Sequence, residues 1–261
     1  VHFVGRAVQG DLGKSFVYGE ESLGIIVQRM PATFELALAA LLMAIVIGIP
    51  LGVFAGLKAE TRISKAIMAG SILGFSLPTF WVGLMFIMVF AVMLGWLPST
   101  GRGEVVPLMG VNVSFLTLDG LAHLFLPALN LALFKISLVI RLARAGTREI
   151  IHQDFIKFAR AKGLSTRRVV LVHLMKNIMI PVVTVLGLEF GGLIAFSVVT
   201  ETVFAWPGMG KLIIDSIQSL DRPIIVAYLM IIVLVFVIIN LVVDVLYSIL
   251  DPRVRLQDVT G

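Results

Sequence analysis

The chain has 261 residues, of which 59% are hydrophobic and 14% are charged, and its mean hydropathy is +1.04. A soluble domain of this length carries much more polar surface, so this composition excludes a soluble globular protein. Because the chain has no cysteine, a disulfide framework, a thiolate metal site and a catalytic thiol are excluded as well.

Five apolar segments follow one another along the chain, and each has the length of a membrane-spanning helix, for which about 20 residues suffice. Lipid offers the backbone no hydrogen-bond partners, so a helix that satisfies its own backbone is the expected structure. The second segment is long enough to tilt or to kink at Pro78. The sequence therefore predicts an all-α polytopic membrane helix bundle in residues 32–250, with spans at about 32–57, 66–96, 121–142, 178–204 and 224–250.

The basic residues are divided unevenly between the two sets of loops that connect these spans. One set, which includes the loop 143–177 with its flanks and the tail 251–261, carries 14 Lys and Arg residues, whereas the opposite set carries 6. Basic loops are typically cytoplasmic, so we predict a cytoplasmic C-terminus and an extracytoplasmic segment 1–31. The net charge of +5 is therefore explained by the membrane topology of the chain and does not indicate nucleic-acid binding. A preceding helix, the first of six, would explain both the outside start and the missing initiator Met.

The loop 143–177 has a helical pattern of its own. Apolar residues at positions 151, 155, 156 and 159 recur with the spacing of one helical face. Gly163 can end this helix in the left-handed conformation, and Ser165 can cap a second helix directly after it. The pattern predicts two short helices that face the cytoplasm. By itself it fits equally well a basic helix without a specific role, either solvated or lying on anionic lipid.

Residues Phe158–Leu164 of this loop, with His173, Asn177 and Pro181, resemble the EAA loop of permeases from binding-protein-dependent ABC importers. The resemblance is closer to the dipeptide/oligopeptide permease B-type subfamily, of the peptide/nickel family, because further stretches match it in the expected order. These stretches are Gly10–Ser15, Ser76–Gly83, Leu126–Ala128, Glu201–Gly210 and Asp251–Arg255. The resemblance implies the transmembrane fold of a type I ABC importer.

In that family the EAA loop docks into a groove on a cytoplasmic ATPase subunit, and the resemblance implies the same role here. Two positions depart from the family pattern, since Lys157 stands where it has an acidic residue and Lys176 where it has proline. The docking contacts of the family therefore cannot be carried over residue by residue. The residues to which the resemblance assigns the coupling role are Phe155, Lys157, Phe158, Ala159, Arg160, Ala161, Gly163 and Leu164.

The resemblance further implies an assembly in the cell inner (plasma) membrane. The expected partners are a second homologous permease subunit, two cytoplasmic ATPase subunits, an extracytoplasmic substrate-binding protein and membrane lipid, but no nucleic acid. ATP and Mg would bind to the ATPase subunits, so this chain is expected to bind no cofactor and to be a transport subunit rather than an enzyme. The expected cargo is a di- or oligopeptide, although similar permeases import glutathione, nickel chelates and some sugars.

Two segments on the predicted outer side have the character of structured loops, Gly101–Thr117 and Thr202–Pro223. The second contains a Trp-Pro-Gly turn signal with an aromatic residue suited to the membrane interface. We predict that these segments gate the pore or contact the binding protein. The residues proposed for this role are Glu201, Trp206, Pro207 and Gly208.

Three charged side chains lie inside predicted spans, namely Lys135, Glu189 and Asp244. Charges in lipid are costly and mark candidate functional sites. All three lie at a similar depth, roughly 9–14 Å from the predicted cytoplasmic ends at 1.5 Å per residue, so Lys135 can pair with Glu189 or Asp244. Alternatively, Lys135 extends to the interface and Asp244 faces it. A competing class of protein, an ion-driven secondary transporter or channel, would use these charges as an ion path.

The sequence contains no recognisable catalytic, metal or nucleotide site. Its four histidines are scattered without the spacing of paired ligands. The run Gly208–Lys211 superficially resembles a phosphate-binding loop, but Ala205 replaces the first glycine of that motif and Leu212 replaces its Ser or Thr. We therefore predict that ATP hydrolysis takes place on another chain.

Overall fold

The structure is a computed structural model that describes residues 11–250, with side chains described up to Val245. Residues 1–10 and 251–261 lie outside the described part. The first range holds the start of the predicted extracytoplasmic segment. The second is the whole predicted cytoplasmic tail, including the Asp251–Arg255 match.

Helices form most of the described part, which confirms the predicted all-α class. A short antiparallel hairpin, β1 (Val106–Leu108) and β2 (Val111–Val113), interrupts them. In chain order the helices are α1 (Ser22–Leu57), α2 (Arg62–Ser76), α3 (Thr79–Met93), α4 (Leu118–Ile150), α5 (Asp154–Ala161), α6 (Thr166–Val203), α7 (Met209–Gln218) and α8 (Arg222–Leu250). Two segments within them are π-helical, Ile87–Met93 in α3 and Val169–Leu174 in α6.

Four helices, α1, α4, α6 and α8, are long and apolar enough to cross a membrane, and α2 with α3 would make a fifth, broken span. Three of them, α1, α4 and α6, extend well beyond the apolar segments seen in the sequence, and α6 already begins at Thr166. Helix α1 begins at Ser22, where Ile25 and Ile26 are buried while Gln28 is exposed, and α4 continues to Ile150. Hydropathy detects only the uniformly apolar part of a helix, so it misses such amphipathic ends.

The segment predicted as the second span consists of two helices. Pro78 has no N–H to donate within a helix, and its ring disfavours helical conformation at the residue before it. Leu77 accordingly has an extended backbone, with φ −85° and ψ 137°. Helix α2 therefore ends at Ser76 and α3 begins at Thr79.

The described chain divides into two compact units, each with a buried core. The core of the first unit includes Phe204 and Trp206, and the core of the second includes Ile156 and Leu174. The first unit contains the described residues up to Ala40 together with Pro78–Leu131 and Gly191–Ile238, and the second contains Leu41–Leu77, Ala132–Phe190 and the residues from 239 onward.

Within the second unit, α1 packs against α4 through three glycines spaced four residues apart, Gly48, Gly52 and Gly56. A Cβ atom added to Gly52 would lie 2.6 Å from the carbonyl oxygen of Ile140 and 2.7 Å from the Cβ of Ala143. No larger side chain fits at that distance, and small residues at this spacing let membrane helices approach closely. The glycines therefore set the spacing of α1 and α4 in this unit.

Candidate coupling and outer-loop sites

The predicted coupling segment forms α5, which is anchored in the second unit by one face. Ile156 and Ala159 are buried there. Phe155 and Phe158 point away from that core and are 39% and 62% exposed. Arg160 and the other polar residues of the helix are exposed as well. Large apolar side chains held outside a core offer contact area to another protein.

The structure confirms the predicted break after α5. Gly163 has a φ of +78°, the left-handed conformation that favours glycine at a helix end. Leu164 follows it and is half-buried. Ser165 then caps α6, because its Oγ accepts a hydrogen bond from the backbone N–H of Arg168 at 3.4 Å. Two short turns therefore fix where α5 ends and where α6 starts.

Both lysines that depart from the family pattern are exposed. The Nζ of Lys157 donates a hydrogen bond to Oδ1 of Asp154 at 2.9 Å, and this bond and its charge lower the pKa of the Asp154 carboxyl. Lys162 places a second cation 4.6 Å from the ring centre of Phe158. Lys176 lies further along the chain, on α6. The surface of α5 is thus aromatic and cationic, which suits apolar and acidic groups on a partner.

Lys135 pairs with Glu189, one of the two carboxylates considered for it. Its Nζ donates to Oε2 of Glu189, and it lies 5.1 Å from the ring centre of Phe134. The side chain of Lys135 is 8% exposed and that of Glu189 is 38% exposed. Asp244 lies exposed on α8 and forms no ion pair with the side chains that the structure describes. The role of the pair in bracing the bundle stays a prediction.

Glu201 is fully buried in the first unit and accepts hydrogen bonds on both oxygens. Its Oε1 accepts from the hydroxyls of Thr33 at 2.8 Å and Ser197 at 2.9 Å, and its Oε2 accepts from the backbone N–H of Lys211 at 3.0 Å. A Cβ atom added to Gly208 would lie 2.4 Å from Oε2, so only glycine fits there. This carboxylate ties α1, α6 and α7 together.

The turn between α6 and α7 is closed by Trp206. Its indole is fully buried, and Nε1 donates a hydrogen bond to the Ala32 carbonyl at 2.8 Å. Ala205, just before it, takes the strained left-handed conformation with a φ of +46°. Pro207 is half-buried. Glu201 and Trp206 therefore lie inside the unit, where they shape the turn between α6 and α7. The contact predicted for this motif with a gate or a binding protein stays a prediction.

A second buried carboxylate, Glu35 on α1, holds the loop that contains the hairpin. Its Oε1 accepts from the backbone N–H and the hydroxyl of Ser114 and from the N–H of Phe115, each at 2.8 Å. Its Oε2 accepts from Nε of Arg102 at 3.0 Å and from Nη2 at 2.5 Å. Arg102 also donates to the Asn112 carbonyl at 2.7 Å, so one ion pair fastens both ends of the loop.

The sequence predictions missed the roles of Glu35 and Arg102. Glu35 lies near the start of an otherwise uncharged apolar run. A charge near lipid needs a partner, and this reasoning, which identified Lys135 as a candidate, applies to Glu35 as well. Its partner lies 67 residues away along the chain, so spacing gives no hint of the pairing.

Residues 48–256 match the family described as "Binding-protein-dependent transport system inner membrane component". The chain is 39% identical to the di/tripeptide transport system permease protein DppB of Pseudomonas aeruginosa, covering 98% of this chain and 80% of that protein. It is 38% identical to the oligopeptide transport system permease protein AppB of Bacillus subtilis, covering 97% and 78%. It is 37% identical to the glutathione transport system permease protein GsiC of Escherichia coli, again covering 97% and 78%.

The fold resembles that of a solved permease. The inward-facing MetNI methionine ABC transporter matches with a TM-score of 0.66 and 17% identity, covering 88% of this chain and 97% of the solved chain. An identity this low speaks for the fold alone, which is that of a type I ABC importer. None of the matches described supports an ion-driven transporter or channel. The chain therefore belongs to the family of inner-membrane permease components of binding-protein-dependent ABC importers.

Proposed function

We propose that this chain forms half of the pore through which an ATP-driven importer moves di- or oligopeptides into the cell. The peptide class is supported by the relatives, several of which are named as dipeptide or oligopeptide permeases. The binding protein would largely set the choice among peptides, since relatives of similar identity include a glutathione permease.

The other half of the pore would be a second homologous permease subunit. Two cytoplasmic ATPase subunits would bind ATP and Mg, and an extracytoplasmic binding protein would deliver the cargo. This chain would then hold no cofactor of its own. The basic loops favour a cytoplasmic loop 143–177 and a cytoplasmic C-terminus, with the N-terminus of this chain outside.

The observation that carries this proposal is the arrangement of α5. A helix held by buried Ile156 and Ala159 that keeps Phe155 and Phe158 exposed can transmit movement from a bound partner to its own unit. Closure of the ATPase subunits on ATP would displace α5 and favour the outward-facing state. Hydrolysis would restore the inward-facing state, so that ATP acts by its differential affinity for the two states.

The outer part of the cycle would involve the Gly101–Thr117 loop and the turn after α6. Glu35 and Glu201 hold these two segments by buried hydrogen bonds, so each would present a defined shape to the binding protein. Pro207 and the exposed hairpin would provide contact surface, whereas Trp206 would act by positioning them.

Reconstitution tests this function. The complete complex, with the permease, ATPase and binding protein encoded beside this chain, is placed in proteoliposomes with a labelled dipeptide. We expect uptake that requires both ATP and the binding protein. Uptake by this chain alone, driven by an ion gradient without ATP, would contradict the proposal.

The coupling role of α5 has its own test in the same vesicles. Replacing Phe155 and Phe158 together by Ser removes the exposed aromatic area while leaving the buried anchor intact. We expect uptake and peptide-stimulated ATP hydrolysis to fall at least about tenfold, the effect of losing about 1.4 kcal/mol of interaction. Ile63→Ser, an equally exposed change on α2, is the control and should alter neither. If the Ile63→Ser control also loses uptake, or if the double variant keeps full uptake and ATP hydrolysis, the coupling role of α5 is wrong.

A further inference from the structure

A cavity of about 510 Å³ lies in the second unit, where α1 and α4 end. The chain segment 56–61 forms one wall, and Arg148, Ile151, His152 and Arg160 form the other. We call it the cationic pocket. It joins the short loop between α1 and α2 to the coupling helix α5, through Lys58 on one side and Arg160 on the other.

Positive charge dominates this cationic pocket. Lys58, Arg148 and Arg160 line it, and Glu60 is the one carboxylate among its lining residues. The side chains of the three cations make no hydrogen bond or ion pair with any residue in the described part of the chain. The three cations are exposed and outnumber the single carboxylate, so the cavity carries an excess of positive charge that a bound anion would neutralise.

Arg144, which does not line the cavity, has an unpaired donor close to it. Arg144 lies one turn before Arg148 on α4, on the same side of the helix. Its Nε is buried and has no hydrogen-bond partner among the described residues. A buried donor without a partner is costly, and the guanidinium adds a further positive charge to this side of α4.

The place of the cationic pocket favours a lipid over a soluble anion. Its walls begin at the ends of two membrane-length helices, α1 at Leu57 and α4 at Ile150, so a bilayer around these helices would bring lipid headgroups close to the cavity. Leu57 and Ile151 give the cavity apolar surface beside its cations, as a headgroup with attached acyl chains requires. Basic pockets at membrane-helix ends recognise anionic headgroups in this way.

We propose that the cationic pocket binds the phosphate of an anionic phospholipid, such as phosphatidylglycerol or cardiolipin. A headgroup held between Lys58, Arg148 and Arg160 links the α1–α2 loop to α5. The bound lipid would then affect how α5 moves with its unit. The proposal depends on the membrane placement of the chain and on no particular cargo.

Lipid binding is measured on the complete complex in nanodiscs of phosphatidylcholine that contain a small fraction of spin-labelled phosphatidylglycerol. The pocket variant is Lys58→Gln with Arg148→Gln, which spares the coupling residues. Its control is Lys65→Gln with Arg167→Gln, two exposed cations that do not line the cavity. Each basic residue near an anionic surface contributes enough to change affinity about fivefold, so the pocket variant should bind the label about twenty- to thirtyfold more weakly.

Four outcomes decide the proposal. Selective loss in the pocket variant, with an unchanged unfolding temperature, supports it. Equal loss in the control pair indicates unspecific surface charge and overturns it. Displacement of the label by millimolar inorganic phosphate as readily as by unlabelled phosphatidylglycerol assigns the site to a soluble anion and overturns the lipid. If the pocket variant keeps its lipid but loses the ATPase subunits on size exclusion, the cations serve that partner and the proposal is wrong. Because the readout is lipid retention, failure of peptide transport leaves the result unaffected.

Discussion

Single residues with buried charge hold the loops of the first unit. Glu35 accepts five hydrogen bonds and Glu201 accepts three, and all of their donors belong to residues that lie far apart along the chain or in another helix turn. A buried carboxylate is tolerable only when it is fully bonded in this way. These two residues therefore fasten the hairpin loop and the turn after α6 to the helices of the first unit.

Removing the Glu35 carboxylate leaves Arg102 without its buried partner. We expect Glu35→Ala to lower the free energy of unfolding by about 3–5 kcal/mol, the usual cost of breaking a buried pair. Glu104→Ala changes an exposed glutamate of the same loop and should cost less than about 0.5 kcal/mol. Thermal unfolding of the purified protein in detergent compares the two. Similar losses in both variants would mean that the ion pair does not anchor the loop.

The Lys135–Glu189 pair gives an asymmetric prediction, because Lys135 is nearly buried while Glu189 is partly exposed. Glu189→Gln leaves an uncompensated ammonium group that is enclosed by protein, whereas Lys135→Met leaves a carboxylate at the surface of the unit. We expect the first variant to be less stable than the second, and the double variant to lose less than the sum of both. A strictly additive double variant would mean that the two side chains do not interact.

At the scale of whole helices, the glycine spacing of α1 controls its contact with α4. We expect Gly52→Ala to destabilise the protein by about 1–3 kcal/mol, because the added methyl group overpacks against Ile140 and Ala143. Gly70→Ala is the matched control, since nothing lies within 4 Å of its added Cβ. Alanine favours helix over glycine, so the control should be neutral or up to about 1 kcal/mol more stable. An equally stable Gly52→Ala would show that the helices can separate without cost.

Most helices and helix ends can be predicted from the sequence. The apolar runs predict α1, α4, α6 and α8, and a single glycine and serine predict the break between α5 and α6. The amphipathic start of α1 escapes hydropathy because its apolar face meets protein. The Glu35–Arg102 pair could not be predicted because its two residues are distant in sequence. Lys135 had two candidate carboxylates at the same depth, and only the packing of α4 against α6 selects Glu189.

At the scale of the whole molecule, the topology can be measured cleanly because the chain contains no cysteine. Met109 at the hairpin tip is 99% exposed, and Arg167 lies exposed in the predicted cytoplasmic loop. We expect Met109→Cys to react with a membrane-impermeant maleimide in intact spheroplasts. Arg167→Cys should react only after the membrane is permeabilised. The opposite pattern would invert the orientation drawn from the basic loops.

The helix break at Pro78 has a consequence for what surrounds the protein. Pro78 has no N–H for the carbonyl of Gly74, and residues Ser76–Trp81 next to it are exposed. Acyl chains cannot hydrogen-bond such backbone groups, and each one left alone in hydrocarbon costs several kcal/mol. This stretch of surface must therefore be wetted or covered by protein. Water or a protein partner is therefore expected to cover residues Ser76–Trp81 when the chain lies in a membrane.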